Sequence, residues 1–297
     1  MPEGHTLYRL ATDIRAAFAG DRVSVSSPQG RFAASAAMVD GCTILDATSY
    51  GKHLFVDLDA DVAIHVHLGL YGVFTLGAIP APPPVGQVRL RLVGLRAYAD
   101  LRGATACELL DPHARHALID RLGPDPLRPD ADWERMWSAM SRSRRSVAAL
   151  LMDQSVVAGI GNVYRAELLF RAGLDPQVPG NALSRRTVKA LWDDMVALLW
   201  HGVQEGRINT LVPTHDPAAR VDPLSGIAEG VYVYRRHGQR CLVCSKPVQM
   251  TELEGRNLYW CPRCQRRRTA RPRTSASPGV TDRGSSEGHE GATTVEG

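Results

Sequence analysis

The segment Cys241-Leu242-Val243-Cys244, followed after sixteen residues by Cys261-Pro262-Arg263-Cys264, decides one part of the fold on its own. Two Cys-x2-Cys pairs at this separation form the ligand pattern of a structural zinc site. Thiolates bind Zn²⁺ tetrahedrally, and four of them leave no coordination position for water or substrate. The pattern therefore predicts one structural Zn²⁺ held by Cys241, Cys244, Cys261 and Cys264, and it removes this metal from the catalytic candidates.

The residues between the two cysteine pairs indicate a two-stranded hairpin. Glu254-Gly255 suits the turn of such a hairpin, and Arg256 would then lie at its tip, free of any role in the core. A guanidinium on a rigid tip is a good phosphate ligand.

Composition and charge limit the classes of protein that need to be considered. The chain has 297 residues, is 44% hydrophobic and 22% charged, and carries a net charge of +4, which is typical of a globular protein with two domains. Residues 263–273 hold six arginines and no acid, and a second cluster contains Arg142, Arg144 and Arg145. Such clusters suit a polyanion such as nucleic acid, although solubilising surface charge is an equal alternative.

Cysteine usage and hydropathy indicate a reducing, non-membrane location. Cys42 and Cys107 lie in strand-like sequence and are expected to be buried thiols, not a disulfide. The N-terminus has no signal-peptide h-region, and no apolar run reaches the length of a membrane span.

The hydrophobic pattern changes three times along the chain. Residues 6–18 have helical spacing, residues 22–110 carry the alternating runs of a β-sandwich or barrel, and 80–84 is a proline-rich loop. Helical periodicity returns after a break at 122–127, in four segments at 133–140, 146–152, 162–172 and 184–201. We predict an N-terminal domain at 1–122, a helical domain at 131–230 that ends in a long loop (207–230), the zinc segment at 231–266 and a disordered tail at 274–297.

The first residues could form a nucleophile. Loss of Met1 would expose the secondary amine of Pro2, which can attack an aldehyde carbon to give an iminium Schiff base. Glu3 could then move protons. The plain alternative, favoured when these residues are taken alone, is that Met-Pro-Glu is an ordinary start of a helix.

Three further motifs each have a functional and a structural interpretation. Gly51-Lys52 places a lysine at a strand entry, where it would contact a phosphate or remain solvated in a turn. Leu70 and Tyr71 follow His67 in a glycine-flanked loop and would act as wedges in a base stack or pack in the core. The segment 159–162, Gly-Ile-Gly-Asn, joins two helices, with Asn162 as a helix N-cap and backbone N–H groups suited to a DNA phosphate.

Taken together, these motifs resemble the family of bifunctional DNA glycosylases that contains formamidopyrimidine-DNA glycosylase and endonuclease VIII. The resemblance runs from Pro2 to about Gln265, and 70–72 and 259–262 are more similar to the endonuclease VIII branch, which favours oxidised pyrimidines. It implies an α+β fold: an N-terminal helix and β-sandwich, then a helical domain with a helix-two-turn-helix and a zinc-finger hairpin.

The resemblance also implies roles for individual residues. Pro2 would attack C1′ of the damaged nucleoside, Glu3 would donate a proton, Lys52 would contact phosphate and assist β-elimination, and Arg256 would clamp phosphates and support δ-elimination. Leu70 and Tyr71 would fill the gap left by a flipped nucleotide. The other DNA-binding residues would be His67, Arg121 and Asn162.

The sequence departs from the family pattern at two positions. Thr6 stands where the family often carries glutamate, and Gly69 stands where the endonuclease VIII branch can carry a polar residue. We expect a monomer that acts on damaged double-stranded DNA in the cytoplasm, on the nucleoid, with no membrane partner. An 8-oxoguanine/formamidopyrimidine-preferring glycosylase and a non-catalytic zinc-hairpin DNA-binding protein remain the alternatives.

Overall fold

Two four-stranded antiparallel sheets share one hydrophobic core in the N-terminal part of the chain, as the alternating patterns predict. The computed structural model describes residues 2–211 and 230–266. One sheet has the strand order β1-β6-β7-β5 and the other β2-β3-β4-β8. The strands are β1 Ser24–Ser26, β2 Ile44–Tyr50, β3 His53–Leu58, β4 Val62–His67, β5 Val73–Ala78, β6 Val88–Val93, β7 Ala97–Arg102 and β8 Ala106–Leu110.

Strand alternation sorts the side chains of the second sheet into a core face and an outer face. Leu54 and Val56 of β3 and Ile64 of β4 point into the core. Because successive residues of a strand face opposite sides, His53 and His65 lie on the other face. The polar outer face of this sheet therefore lies beside Lys52, which immediately precedes β3.

Helix α1 (Gly4–Phe18) packs its apolar stripe, Leu7, Leu10, Ile14 and Phe18, into the same core. It begins two residues before the predicted helix, so the first residues of the chain lie at a helix N-terminus. This start matters because it fixes the backbone that carries Glu3.

Two further helices lie in the predicted N-terminal domain, and the first of them lies inside the segment 22–110 predicted as β-structure. They are α2 (Ala33–Val39) and α3 (Pro112–Asp120), the second of which begins where Asp111 accepts a hydrogen bond from the backbone N–H of Ala114. The periodicity did not reveal them because α2 has only seven residues and α3 buries none of its side chains. The α+β sandwich itself is confirmed.

Four helices form the second hydrophobic cluster, close to the four periodic segments. They are α4 Trp133–Ser141, α5 Val147–Met152, α6 Asn162–Arg171 and α7 Arg185–Glu205. Serines cap two of them, since Ser146 accepts from Ala149 N–H and Ser184 accepts from Thr187 N–H. The prediction that Asn162 is the N-cap of α6 is wrong: Gly161 is the cap and Asn162 is the first helical residue.

The zinc segment contains the predicted hairpin, formed by β9 (Gln249–Leu253) and β10 (Arg256–Trp260). Glu254 and Gly255 form its turn with φ of 48° and 71°. The buried Glu167 of α6 joins this part of the chain to the helices, because its carboxylate accepts from three consecutive backbone N–H groups, those of residues 232, 233 and 234, at 2.7, 2.8 and 2.9 Å.

The predicted tail at 274–297 and residues 212–229 of the predicted loop lie outside the described residues. The domain limits stay predictions.

Candidate active site

Glu3 lies at the N-terminus of α6 and is fully buried. Its carboxylate accepts hydrogen bonds from the backbone N–H groups of Gly161 (2.8 Å), Val163 (2.9 Å) and Tyr164 (3.4 Å). Burial raises the pKa of the Glu3 carboxyl above its usual value, while Lys52 and the three N–H groups act in the opposite direction. The carboxyl of the protein's own Glu3 thus occupies this helix N-terminus, and the prediction that these N–H groups bind DNA phosphate is wrong.

Glycines allow the N-terminal segment to approach the α5–α6 loop this closely. Gly4 N–H donates to the carbonyl of Gly159 at 2.8 Å. A Cβ on Gly161 would lie 2.4 Å from Cδ of Glu3, a distance that no side chain could occupy. The Gly-x-Gly sequence between the helices therefore makes room for Glu3.

Lys52 is held by the turn that precedes it and by the same loop. Gly51 has φ +57°, and its N–H donates to the buried carboxylate of Asp125 at 2.8 Å. The Lys52 ammonium donates to the carbonyl of Ile160 at 2.5 Å. Burial lowers the pKa of Lys52 to about 8, partly offset by Glu3. A lysine with this pKa is charged at neutral pH yet able to release its proton just above it.

Residues from both ends of the chain line one cleft of about 450 Å³. Four of the residues singled out from the sequence, Pro2, Lys52, His67 and Arg256, lie on its wall. Arg165 also lines it, and burial followed by the charge of Arg256 lowers the Arg165 pKa to about 10. A nucleophile candidate, an acid and several cations that suit phosphate thus meet in one place.

Leu70 and Tyr71 protrude beside this cleft. They lie in the turn between β4 and β5 and are 46% and 86% exposed, so they are not core residues. A second cleft of about 720 Å³ begins at Pro2 and is lined by both side chains together with Thr6 and Arg9. Exposed apolar side chains at the rim of a cleft suit insertion into another molecule.

The two remaining predicted DNA contacts have different environments. Arg121 is exposed at the C-terminal end of α3. Asn162 is buried, and its side-chain amide donates to the carbonyl of Asn257 at 3.0 Å while its Oδ1 accepts from Arg165. Asn162 therefore links α6 to the zinc hairpin and lies next to the cleft, close to Arg165.

Sequence reasoning missed a row of polar side chains beside Lys52. His53 Nδ1 lies 2.9 Å from His65 Nε2, and His65 Nδ1 lies 2.9 Å from Oε1 of Glu108. Burial lowers the pKa of His53 to about 3, so this imidazole is neutral at physiological pH. Asp125 and Arg165 were also missed. The available signal was the alternation His65-Val66-His67, which puts both histidines on one face of β4.

The four zinc-motif cysteines form a cluster whose Sγ atoms all lie within 4.8 Å of one another. The Sγ–Sγ distances are 3.8 Å for Cys241–Cys264 and 3.4 Å for Cys244–Cys261. Tetrahedral zinc with Zn–S bonds of about 2.3 Å needs sulfur atoms about 3.8 Å apart, so these residues fit the metal. The chain carries one structural zinc at this site of four cysteines.

Comparisons with known proteins agree with this arrangement over most of the described chain. Residues 1–107 match the formamidopyrimidine-DNA glycosylase N-terminal domain, 122–213 the formamidopyrimidine-DNA glycosylase H2TH domain, and 238–267 the zinc finger found in FPG and IleRS. The fold is that of Lactococcus lactis formamidopyrimidine-DNA glycosylase bound to DNA containing an AP site (TM-score 0.73, 21% identity, 89% of this chain and 100% of that one).

The fold and the cleft define a DNA glycosylase of base excision repair, and the chain belongs to the formamidopyrimidine-DNA glycosylase and endonuclease 8 family, whose members also carry AP lyase activity. It is 49% identical to Endonuclease 8 1 of Mycobacterium tuberculosis over 272 residues, 89% of this chain and 100% of that protein. It is 34% identical to the formamidopyrimidine-DNA glycosylase of Geobacillus kaustophilus, over 78% of this chain and 85% of that protein. No helix in the ranges 2–211 and 230–266 is long and apolar enough to cross a membrane.

Proposed function

We propose that this enzyme removes oxidised pyrimidines from double-stranded DNA through a Schiff base on Pro2 and then cleaves the strand by β,δ-elimination. The observation that supports this best is the position of Pro2 on the wall of a cleft that also contains Lys52 and Arg256, with Glu3 buried directly behind it. A protein that only binds DNA has no need of a buried carboxyl next to its N-terminal amine.

The proposed chemistry begins at C1′ of the flipped nucleotide. After Met1 is removed, the lone pair of the Pro2 nitrogen attacks C1′, the glycosidic bond breaks, and the base leaves with a proton while the Pro2 nitrogen loses its own. The nitrogen lone pair then expels the ring oxygen, so that the C1′–O4′ bond breaks, O4′ takes up a proton and the iminium forms. Glu3 is the proton donor for base release or sugar opening, and the raised pKa of its carboxyl suits that role. The resulting C1′ iminium draws electrons from C2′, so that loss of a C2′ proton breaks the C3′–O bond and a later step breaks the C5′–O bond.

Binding roles follow from the charges and shapes around the cleft. Lys52 and Arg256 face the phosphates beside the lesion, and His67, Arg121 and Asn162 contact the DNA backbone. Leu70 and Tyr71 enter the stack where the nucleotide has left it, an insertion that their exposure permits. A single chain supplies every one of these groups, which supports a monomer that acts on nucleoid DNA.

The pyrimidine preference rests on the similarity to Endonuclease 8 1. Thr6 lines the second cleft at the position where the family often carries glutamate, so this cleft lacks that carboxylate. The formamidopyrimidine-DNA glycosylases at 31% to 34% identity make purine lesions the second candidate.

Borohydride trapping tests the Pro2 mechanism. The wild-type enzyme is incubated with a duplex that contains an abasic site, the iminium is reduced to a stable amine, and peptide mapping by mass spectrometry locates the adduct. We expect the adduct on Pro2, with Met1 absent from that peptide. A variant with one residue inserted before Pro2 should give no adduct, because the proline nitrogen then becomes an amide. An adduct on Lys52, or none, would contradict the mechanism.

A panel of duplexes tests the lesion preference. Single-turnover excision of thymine glycol is compared with excision of 8-oxoguanine opposite cytosine, and we expect the first to be faster. Faster excision of 8-oxoguanine would show that the enzyme prefers purine lesions, which is the alternative. It would leave the proposed Pro2 mechanism unchanged.

A further inference from the structure

The arginine cluster at 142–145 contains one residue that bonds to two acids in the cleft. One Arg145 nitrogen donates to Oδ2 of Asp153 at 2.6 Å. Its second terminal nitrogen lies 3.1 Å from both Oε1 and Oε2 of Glu254. The three side chains form an acid–arginine–acid bridge that lines the same cleft as Pro2 and Arg256.

The two acids belong to the segments that carry the candidate active-site groups. Asp153 follows α5 and opens the loop whose residues Ile160 and Gly161 hold Lys52 and Glu3. Glu254 is the first residue of the zinc-hairpin turn, two positions before Arg256. Arg145 therefore ties the hairpin turn to the loop that holds the catalytic candidates.

A cleft that accepts a polyanion should not contain free carboxylates. The side chains of Arg145, Asp153 and Glu254 are 46%, 29% and 53% exposed, so the bridge adds little to the stability of the free protein. Its effect on charge is larger: without Arg145, two acids would face the incoming DNA. Glu254 would then be free to pair with the nearby cations Arg256 and Arg165, and so to compete with the phosphate.

We propose that Arg145 is a positioning residue that acts as an internal counter-ion: it neutralises Asp153 and Glu254 and holds the hairpin turn, so that Arg256 meets the DNA phosphate without a competing carboxylate. Arg145 acts through the two acids and not by contacting phosphate itself. This inference rests on the proposed DNA-cleaving function, because it concerns how the same cleft accepts its substrate.

A rescue experiment separates this role from direct phosphate binding. Affinity for a duplex that carries an uncleavable tetrahydrofuran abasic analogue is measured at fixed salt. We expect Arg145→Ala to weaken binding roughly tenfold, since uncompensated like charges oppose association. Glu254→Gln should restore most of that loss in the double variant, because it removes the carboxylate that Arg145 neutralised. Asp153→Asn is a second, independent rescue, because its amide oxygen can replace Oδ1 as the acceptor for the N–H and hydroxyl of Ser155.

Arg144→Ala is the matched control, since it removes the same charge from the same exposed loop without releasing these two acids. Its loss of affinity should not be rescued by Glu254→Gln. If Arg145→Ala and the double variant Arg145→Ala/Glu254→Gln lose the same affinity for the duplex, the inference is overturned and Arg145 is a direct phosphate ligand. Arg145→Gln guards against a folding defect, and it should be rescued in the same way. If wild-type protein does not bind the duplex, the proposed function fails as well, whereas binding without rescue rejects only the counter-ion role.

Discussion

At the scale of single residues, Glu3 combines two properties that usually exclude one another. Its carboxyl is fully buried, which favours the protonated acid, yet three backbone N–H groups of the α6 terminus donate to it, which favours the anion. Burial is the largest of these effects, so the pKa of the Glu3 carboxyl is raised and it holds its proton to a higher pH than an exposed glutamate does. That raised pKa is the physical reason to place acid–base chemistry at Glu3 and not at the exposed acids of the cleft.

We predict that Glu3→Gln slows base excision by roughly 10²–10⁴-fold, the contribution typical of a positioned acid. Trapping on a duplex with a pre-formed abasic site should fall much less, because the base has already left and the aldehyde is free to react with Pro2. Single-turnover assays on the two substrates measure the difference. The amide cannot accept from all three N–H groups, so the free energy of unfolding should also fall by about 1–3 kcal/mol. Equal losses on both substrates would contradict the proton-donor role.

The buried lysine gives the enzyme a pH limit on its alkaline side. The pKa of Lys52 is about 8 in the free protein, lowered from 10.5 by burial, and phosphate binding favours the charged form. DNA affinity should therefore fall as the pH rises above about 8, by up to about tenfold per unit, until the higher pKa of the complex is reached. Lys52→Arg keeps its charge over this range, and its affinity should stay constant between about pH 8 and 9.5. A wild-type affinity that is equally constant would contradict the assignment.

At the scale of elements, a contact between two loops orients Lys52 in the site. The turn before β3 and the segment after residue 122 meet through Asp125, whose buried carboxylate accepts from the N–H groups of Gly51 (2.8 Å) and Leu127 (3.0 Å). Tyr50 reaches the same segment, since its hydroxyl donates to the carbonyl of Gly123 at 3.0 Å. The segment 122–127, where the sequence pattern breaks, is thus held in contact with the turn that carries Lys52.

We predict that Asp125→Ala lowers the free energy of unfolding by about 2 kcal/mol or more, because it leaves two buried N–H groups without acceptors. The same variant should weaken DNA binding, since the turn that orients Lys52 loses its anchor. Urea titration and binding to the abasic-analogue duplex measure the two effects. Asp130→Ala is the control: this carboxylate is exposed, and its loss should leave the free energy of unfolding almost unchanged.

The elements that the sequence predicted are those whose pattern is local. The zinc hairpin follows from two short cysteine pairs, and the four C-terminal helices follow from apolar spacing. Helix α3 could not be found in this way, since it buries no side chain and so carries no apolar stripe. Glu3 contacts the N-terminus of α6, whose residues are 158 or more positions away in the sequence. No local pattern encodes a contact between such distant residues.

The residues of the candidate site also divide into those that a local motif marks in the sequence and those that it does not. Pro2, Lys52 and Arg256 were found because each lies beside a short, distinctive motif. Arg165 and Asp125 were not found, because an arginine within a helix and an aspartate between prolines are common in sequences. Only their burial in the folded protein marks them as unusual. The wrong prediction of a phosphate at the N-terminus of α6 has the same cause. The sequence indicated that these N–H groups need an acceptor, but not that Glu3, far away in the sequence, is that acceptor.

At the scale of the whole molecule, the three cations proposed to meet DNA phosphates come from separate parts of the chain, and two of them, Lys52 and Arg256, line the cleft. Lys52 precedes β3, Arg121 ends α3, and Arg256 begins β10 of the zinc hairpin. Each cation that replaces a condensed counter-ion on DNA steepens the dependence of affinity on salt. The binding surface is therefore a property of the assembled fold, since no single segment supplies more than a fraction of its charge.

We predict that the logarithm of the DNA association constant falls linearly with the logarithm of salt concentration, with a slope of about −0.9 for each phosphate contact. Arg256→Ala and Arg121→Ala should each make this slope shallower by about 0.9, because each removes one contact. Fluorescence anisotropy on the abasic-analogue duplex between 50 and 300 mM salt, roughly the range in which such slopes are resolved, provides the measurement. Arg96→Ala, an exposed arginine paired with Asp21 outside the cleft, should leave the slope unchanged. If Arg256→Ala and Arg96→Ala have the same slope as wild type, then the hairpin arginine does not meet phosphate, and the zinc site would serve only to stabilise the fold.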